Sequence, residues 1–485
     1  MPARAFIVHA HFYQPPREDP LTGVIPKEIG AAPFNNWNER IHAECYRPNA
    51  ELRNFERISF NVGPTLFRWM EGYDRVTYER IIAQDQANVK RHGVGNAIAQ
   101  GYNHTILPLA SLRDKITQVA WGIADFKHRF GRSPQGMWLP ETAVDSETLQ
   151  VMADQGIEFT ILAPWQAQGE VDVTEPYLVP LPDGRHMTVF FYQRDLSTRV
   201  SFDPEATINA DNFARYLLLP YFQHEKEKSG EPQVITIASD GELYGHHQYL
   251  RDRFLARFVD GATSDLGIVP VYPALWLKNY PARRTVNIQE NTSWSCHHGV
   301  SRWMGNCACT PGSGAWKAQM RYAMERLAGE LDRIYLDTLR PYIDDPWELR
   351  NRYIEVILGQ RTAGSLIQEM AGRALDSETT SRIHLLLEAQ RERQRMFTSC
   401  GFYFEDFDRI EPRNNVAYAA QAVLYVQQAT GISLKEQVSA DLAAVVSERS
   451  GVRADEVFER HLERAEDHRG LIKNQAVPGE SAGTA

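Results

Sequence analysis

Short apolar runs typical of β-strands alternate with helical segments over the first part of this 485-residue chain. Strands that alternate with helices are typical of a parallel α/β sheet or barrel. Several runs end in His, Asn, Glu or Asp, and in a barrel of parallel strands such side chains gather on the C-terminal rim. The pattern therefore predicts an α/β barrel. The predicted strands are Ala5–His11, Gly136–Leu139, Ile157–Ala163, Met187–Tyr192, Val234–Ala238 and Leu266–Val271, and the predicted helices are Leu109–Phe130 and Ser146–Gln155, the second capped by Asp145 or Ser146.

The pattern changes at about Ala315, beyond which helical periodicity with mixed charges on the polar faces prevails. The predicted helices are Trp316–Leu339, Trp347–Leu358, Ser381–Arg395, Asn415–Thr430 and Leu434–Ser447. We predict a barrel domain over residues 1–312, a mainly α-helical domain over 313–474 and a disordered tail over 475–485, whose residues are small and polar.

The composition restricts the kind of partner. With 62 acidic and 52 basic residues the net charge is −10, which disfavours nucleic acid or an anionic membrane and suits a neutral molecule such as a sugar. No stretch has the length of a membrane span, and the N-terminus is not a secretory signal. Five cysteines without an evident disulfide framework favour a reducing cytoplasm. The sequence gives no indication of the oligomeric state.

Two carboxylates follow strand-like runs. Glu141 comes after Trp138 to Pro140, and Asp240 comes after a β-branched run and before Gly241. Cleavage of a glycosidic bond needs two acidic side chains, and two strand ends are able to place them close together. Other readings are that Glu141 is a charge near a helix N-terminus, and that Asp240 caps a helix or binds Ca²⁺ together with Glu242.

Two histidines, His9 and His11, lie on the same side of the first strand, and Gln14 follows them. They are candidates for binding sugar hydroxyls or a metal ion. His104, in a loop before Ile106, and His246, close to Glu242, are further polar candidates.

A Cys- and His-rich stretch runs from Ser293 to Cys309 and contains three Cys and two His. These residue types are able to supply a tetrahedral zinc site, although the spacing is not the C-x-x-C of a standard finger. A reduced cluster and a disulfide are the alternatives, and we predict no metal. Trp294 and Trp303 in this stretch are predicted to stack on sugar rings.

Five motifs in this order resemble those of glycoside hydrolase family 57. They are His9–Pro15, Tyr102–Pro108, Met137–Glu141, Ser239–Glu242 and the Trp-containing stretch from Ser293 to Trp303. The motifs cover roughly the first 300 residues, and their order is more specific than any one of them alone. The segment Thr398–Asp406 resembles a subgroup that carries a further helical region of unassigned function.

The resemblance implies a (β/α)7 TIM-like barrel followed by helices, with no metal or other cofactor, that acts on α-glucans with retention of configuration. It implies Glu141 as the nucleophile and Asp240 as the general acid/base. We expect the substrate, a carbohydrate, to contact a set of nearby side chains: His9, His11, Gln14, His104, Trp138, Glu242, His246, Trp294 and Trp303.

One departure concerns the second motif, where many family members carry a Glu and this chain has Gln100. Two other classes of function stay open. The first is a metal-dependent polysaccharide deacetylase, with Asp240 and a His pair such as His246 and His247 on a divalent ion. The second is a catalytically silent carbohydrate-binding protein on the same barrel.

Overall fold

The computed structural model describes residues 4–475, which form two compact units. The first unit contains all ten strands of the described residues, and the second contains the helices from Ala315 onward together with the segment Arg17–Ile25. The strands are β1 (Arg4–Phe12), β2 (Ser59–Val62), β3 (Ala99–Gln100), β4 (Met137–Trp138), β5 (Phe159–Leu162), β6 (Tyr177–Pro180), β7 (His186–Phe191), β8 (Gln233–Asp240), β9 (Ile268–Pro270) and β10 (Arg284–Thr285).

The α-helices of the first unit are α1 (Trp37–Ile41), α2 (Arg47–Glu51), α3 (Pro64–Tyr73), α4 (Arg75–His92), α5 (Leu112–Phe130), α6 (Ser146–Asp154), α7 (Arg194–Phe202), α8 (Ala210–Asn212), α9 (His224–Ser229), α10 (Arg251–Val259) and α11 (Pro273–Asn279). Those of the second are α12 (Ala315–Leu339), α13 (Pro346–Arg352), α14 (Ile354–Ile357), α15 (Ala363–Ala371), α16 (Ser377–Arg395), α17 (Cys400–Tyr403), α18 (Ile410–Thr430), α19 (Lys435–Leu442) and α20 (Ala454–Gln475).

Seven parallel strands of the described chain follow one another around the first unit. β1 lies between β2 and β8, β3 pairs with β4, and β5 pairs with β7. The bridges Phe60–Ala97 and Gly136–Phe159 continue this order from β2 to β3 and from β4 to β5. The Gln193 N–H, just beyond β7, donates to the Thr236 carbonyl of β8 at 2.7 Å. The predicted (β/α)7 barrel is confirmed.

The remaining strands lie at the margins of the barrel. β6 pairs antiparallel with β7 and parallel with β10, and β9 pairs with the first residues of β1. The long strands β1 and β8 are buried along almost their whole length, as parallel strands covered on both faces are. Ile7, Ile235 and Ile237 are fully enclosed in the barrel core.

Local sequence determines where the barrel helices begin and end. The Ser111 hydroxyl caps α5 by accepting from the Asp114 N–H, and Gly131, with φ of 69°, ends that helix in the left-handed region. The Asp145 side chain accepts from the Thr148 N–H, so Asp145, one of the two predicted caps, is the cap of α6.

The second unit is helical, as predicted, and has its own core. α18 packs against α16 and α20, and Leu387, Tyr418 and Val423 are fully buried there. Asp19 accepts from Arg464 of α20 at 2.8 Å, which ties the early segment to this unit. The predicted domain limits, 1–312 and 313–474, place residues 17–25 in the barrel domain, whereas the structure groups them with the helical unit.

The predicted tail lies outside the described residues except for residue 475, where α20 ends. None of the described helices combines the length and the apolarity that crossing a bilayer requires.

Candidate active site

The C-terminal ends of neighbouring barrel strands bring the motif residues together. His11 on β1 lies opposite Asp240 of β8 on one side and Asn61 of β2 on the other. Gln100 of β3 lies opposite Trp138 of β4, which leads into the turn that carries Glu141. The barrel register therefore gathers residues from five strands at one rim, where parallel barrels place their catalytic groups.

The turn that carries Glu141 is strained. Glu141 and Thr142 have φ values of 58° and 47°, so two consecutive non-glycine residues occupy the left-handed region. Such a conformation costs about 1–3 kcal/mol per residue and persists only where neighbouring groups enforce it. Gln166 supplies part of that enforcement, since its amide accepts from the Thr142 hydroxyl at 2.9 Å and donates to the Thr142 carbonyl at 2.8 Å.

The Glu141 carboxylate accepts two side-chain hydrogen bonds. The Trp294 Nε1–H donates to Oε2 at 3.1 Å, and the Ser295 hydroxyl donates to the same oxygen at 2.7 Å. In addition, the Trp294 N–H donates to the Glu141 carbonyl at 3.1 Å. Donors aimed at a carboxylate favour its ionised form and hold its orientation, which is what a nucleophilic carboxylate requires.

Asp240 has the opposite electrostatic environment. Its side chain opens to solvent at the end of β8, whereas the preceding residues of the strand are buried. Desolvation by the surrounding protein, followed by the negative charge of Glu141, raises the pKa of Asp240 to about 7. Asp240 therefore retains a proton close to neutrality, as a general acid must.

A second acid, Glu242, is buried behind Asp240. Its Oε1 accepts from the Tyr46 hydroxyl at 2.7 Å and from the Tyr13 N–H at 3.1 Å. Desolvation, with a further contribution from the charge of Asp240, raises the pKa of Glu242 to about 8. Glu242 is therefore mostly protonated at neutral pH, and it links the backbone of Tyr13 to the side chain of Tyr46.

The histidines form a hydrogen-bonded chain with Asn61. The Asn61 Nδ2–H₂ group donates to the Gln100 Oε1 at 2.7 Å and lies 2.9 Å from the His11 Nδ1. The His11 Nε2 lies 3.2 Å from the His104 Nε2. The Asn61 Oδ1 lies 3.2 Å from the His9 Nε2.

Burial keeps this histidine chain uncharged. Desolvation lowers the pKa of His9 to about 3 and of His11 to about 4, and it lowers the pKa of His104 well below its ordinary value. His9 and His11 stack on Trp138, and the Tyr13 ring stacks on His104 with centroids 3.8 Å apart. The three histidines, packed against Trp138 and Tyr13, thus form a neutral and tightly packed layer beneath the site.

Three of the predicted substrate contacts have fully enclosed side chains, and their contact with substrate stays a prediction. The His9 ring is fully buried, and its Nδ1 faces the Ser59 hydroxyl at 2.9 Å. Trp138 and Trp303 are each 0% exposed, so no ring face of either is open to solvent. The hydrophobic indole of Trp138 supports the histidines instead.

The other predicted contacts stay predictions. Trp294 lies beside Glu141 as described, and His11, His104 and Glu242 line the same region. Gln14 is nearly buried and hydrogen-bonds Tyr46, while the His246 Nδ1 pairs with Glu44. Among the described residues, no group of metal-ligating side chains includes Asp240 or any of these histidines.

The site contains residues that sequence reasoning missed: Ser295, Tyr46, Asn61 and Gln166. Ser295 and Asn61 carried a usable signal, since one follows the predicted Trp294 and the other lies at a strand end. Tyr46 and Gln166 reach the site only through tertiary contacts and had no local signal.

Comparison with known proteins agrees with this geometry. The sequence profile described as glycosyl hydrolase family 57 matches residues 6–268, which is more than half of the chain and runs from within β1 to beyond β8. The chain belongs to glycosyl hydrolase family 57. A second profile, a domain of unknown function (DUF3536), matches residues 313–469 of this family 57 chain, as expected for the subgroup with an added helical region.

Curated relatives match about half of the family 57 chain. "Alpha-amylase 1" of Dictyoglomus thermophilum is 29% identical over 229 residues, which is 44% of this chain and 30% of that protein. A "4-alpha-glucanotransferase" of Thermococcus litoralis is 23% identical over 286 residues, or 54% of this chain and 40% of that protein. The chain therefore spans less than half the length of these relatives.

Solved structures share the fold at low identity. An exo-type maltose-forming amylase from Pyrococcus sp. ST04 superposes with a TM-score of 0.75 at 17% identity, covering 97% of this chain and 94% of that one. A family 57 branching enzyme from Thermococcus kodakaraensis gives a TM-score of 0.58 at 16% identity, covering 96% and 95%. These two matches cover nearly all of the family 57 chain.

Proposed function

We propose that this chain is a glycosidase or transglycosylase that acts on α-glucans with retention of configuration. Glu141 is the nucleophile and Asp240 the general acid/base. The observation that carries the proposal is the different environment of the two acids. Two side-chain donors contact the Glu141 carboxylate, while burial and the charge of Glu141 raise the pKa of Asp240 to about 7.

The reaction follows from these two states. A Glu141 oxygen bonds to the anomeric carbon as the glycosidic bond breaks, and Asp240 gives its proton to the departing oxygen. The ionised Asp240 then removes a proton from water or a sugar hydroxyl, whose oxygen attacks the same carbon and releases Glu141. Retaining enzymes place the two carboxyl groups roughly 5–5.5 Å apart. Water as the acceptor gives hydrolysis, and a sugar hydroxyl gives transfer.

The names of relatives support an α-glucan as the substrate, since amylases and a glucanotransferase occur among them. A metal-dependent deacetylase has less support, because no metal-ligating group within residues 4–475 contains Asp240. A cytoplasmic location stays a prediction that rests on the cysteine content, and cell fractionation tests it.

The test is incubation of the purified chain with maltooligosaccharides and with glycogen, followed by sizing of the products. Shorter products alone indicate hydrolysis, and additional longer products indicate transfer. Glu141→Gln and Asp240→Asn are each expected to lower turnover by at least about a thousandfold while the circular dichroism spectrum stays native. Binding of glucans without turnover by the unaltered chain would contradict the proposal and support a silent binding protein.

A further inference from the structure

The side-chain amide of Gln166, just beyond β5, is fully buried and fully hydrogen-bonded. Its Oε1 accepts from the Thr142 hydroxyl and from the Ala163 N–H, both at 2.9 Å. Its Nε2 donates to the Thr142 carbonyl at 2.8 Å and to the Thr292 hydroxyl oxygen at 3.3 Å. A primary amide has two donor hydrogens and two acceptor lone pairs, so these contacts use its whole hydrogen-bonding capacity.

The neighbours determine which way round this amide lies. The Ala163 N–H is a donor and the Thr142 carbonyl is an acceptor, so the amide oxygen faces the first and the amide nitrogen faces the second. The Thr292 hydroxyl donates to the Gln289 carbonyl at 2.8 Å, which leaves a lone pair on its oxygen for the amide nitrogen. A side chain of the same size without an amide is therefore unable to make these contacts.

The amide joins the turn of Glu141 to a second segment of the rim. The backbones of Val144 and Thr292 exchange hydrogen bonds at 3.0 and 3.3 Å, so the segment that begins at Thr292 runs beside the turn. That segment carries Trp294 and Ser295, which both donate to the Glu141 carboxylate. One side-chain group thus contacts the residue after Glu141 and the start of the segment that donates to Glu141.

The left-handed turn needs such an external hold. Glu141 and Thr142 have φ values of 58° and 47°, and for a β-branched residue such as Thr142 this region is a genuine outlier. Such a conformation persists only where the surrounding structure enforces it. The rotamers open to a side chain depend on the backbone torsions of its own residue, so the turn also determines where the Glu141 carboxylate points.

We propose that Gln166 is a positioning residue for the nucleophile. Its amide holds the left-handed turn at Glu141 and Thr142 and keeps that turn in register with the segment of the Trp294 and Ser295 donors. The effect on catalysis rests on the proposed function, which makes Glu141 the nucleophile. The hold on the turn does not depend on that function.

Gln166→Met removes the amide at nearly constant volume. We expect kcat on maltooligosaccharides to fall about a hundredfold while KM changes less than about threefold, because misplacing a reacting group slows the chemical step more than it weakens binding. Rates are compared at a temperature at which circular dichroism shows each variant to be folded.

The matched control is Gln84→Met. The buried Gln84 amide also bonds to backbone groups, accepting from the Glu56 N–H at 3.0 Å and donating to the Ala50 carbonyl at 2.8 Å, and none of these residues belongs to the candidate active site. Both variants should lose stability, but Gln84→Met should keep the kcat of the unaltered chain. Equal loss of kcat in the two variants would mean that Gln166 acts only through general stability.

A second substitution separates control of the turn from loss of packing. Glycine adopts positive φ without steric cost, so adding Thr142→Gly to Gln166→Met should raise kcat at least about threefold, although it removes a further side chain. Adding Thr142→Ala instead removes the same hydrogen-bonding group without that freedom and should give no recovery. A kcat that falls further with glycine would contradict the role of the turn.

A variant of the same shape keeps the proposal testable if Gln166→Met does not fold. Gln166→Glu retains both acceptor contacts but places a carboxylate oxygen against the Thr142 carbonyl, so kcat should still fall at least about tenfold. An unchanged kcat in the folded variants would overturn the positioning role.

Crystal structures of the variants decide on the turn itself. In Gln166→Met, Glu141 or Thr142 should leave the left-handed region, whereas in Gln84→Met both should stay in it. An unchanged turn in Gln166→Met would overturn the hold that we propose. If the unaltered chain cleaves no glucan, the proposed function fails and the catalytic role of Gln166 fails with it, while the two structures still show whether Gln166 holds the turn.

Discussion

Asp240 and Glu242 lie one glycine apart, and burial raises the pKa of both carboxyls, to about 7 and about 8. Only Asp240 opens to the cleft, whereas Glu242 is enclosed and accepts from Tyr46 and the Tyr13 backbone. The environment thus distinguishes two neighbouring acids: Asp240 is the general acid/base that we propose, and Glu242 hydrogen-bonds residues packed beside the strand end.

The pH–rate profile should follow Asp240. A general acid is active in its protonated form, so kcat/KM on maltooligosaccharides should fall as pH rises through about 7, the raised pKa of Asp240. Initial rates between pH 5 and 9 test this. A profile that stays flat to pH 9 would show that Asp240 is not the group that protonates the leaving oxygen.

Stability should depend on pH through Glu242. Its pKa is about 8 when folded and roughly 4.3 when unfolded, so between these values the native state holds a proton that the unfolded chain has lost. Stability contributed in this way is present at low pH and falls as pH rises, by at most about 1.4 kcal/mol per pH unit. Glu242→Gln should flatten the decline in the free energy of urea unfolding between pH 5 and 8.

The matched control is Glu231→Gln, an exposed acid just before β8. This variant should keep the slope of the unaltered chain. A Glu242→Gln variant with an unchanged slope would mean that Glu242 is ionised in the native protein, and the account of the buried acid would fail.

At the scale of elements, long apolar runs were predictable and short strands were not. β1 and β8 match their predicted strands to within a few residues, since their apolar sequence and their burial agree. β3 and β4 have two residues each, and their pairing depends on neighbouring strands rather than on local pattern. The helices α3 and α4 were not predicted, although Pro64 and Asp74 provide helix-start signals.

The positions of Glu141 and Asp240 were predictable for the same reason. Glu141 and Asp240 follow strand-like runs, so their place on the rim follows from the barrel. The strained turn at Glu141 was not predictable, because Gln166, which holds it, comes from a later loop. Likewise, the burial of Trp138 and Trp303 depends on packing that an aromatic residue in a motif does not reveal.

Gly241→Ala should disturb the end of β8. A Cβ at this position would lie 2.3 Å from the Phe12 ring, which is fully buried and has no room to move. Overpacking of this kind costs about 1–3 kcal/mol, and it should also displace Asp240 and lower kcat. Thermal unfolding and turnover measure the two effects.

Gly329→Ala is the opposite control. Gly329 lies exposed within α12 with nothing near its Cβ position, so alanine should raise stability by about 0.5–1 kcal/mol and leave turnover unchanged. Equal stability of the Gly241→Ala variant and the unaltered chain would contradict the close packing of Phe12 against the strand end.

At the scale of the whole molecule, the order of motifs followed by helices identified both the family and the added helical region. The choice between hydrolysis and transfer was beyond sequence, because it depends on how cleft and loops admit an acceptor. The curated relatives do not decide between hydrolysis and transfer either, because the chain covers only 30% and 40% of the two proteins compared. Both units nevertheless have extensive cores of their own, which a chain of 485 residues can supply.

The central claim is that Glu141 and Asp240 act on one anomeric carbon in two successive steps. The most direct test is azide rescue of Glu141→Ala and Asp240→Ala with α-maltosyl fluoride, whose leaving group needs no proton. Without the nucleophile, azide attacks once and should give β-maltosyl azide. Without the acid/base, azide attacks the glycosyl-enzyme and should give α-maltosyl azide. The same anomer from both variants, or rescue of neither, would contradict the assignment of the two acids.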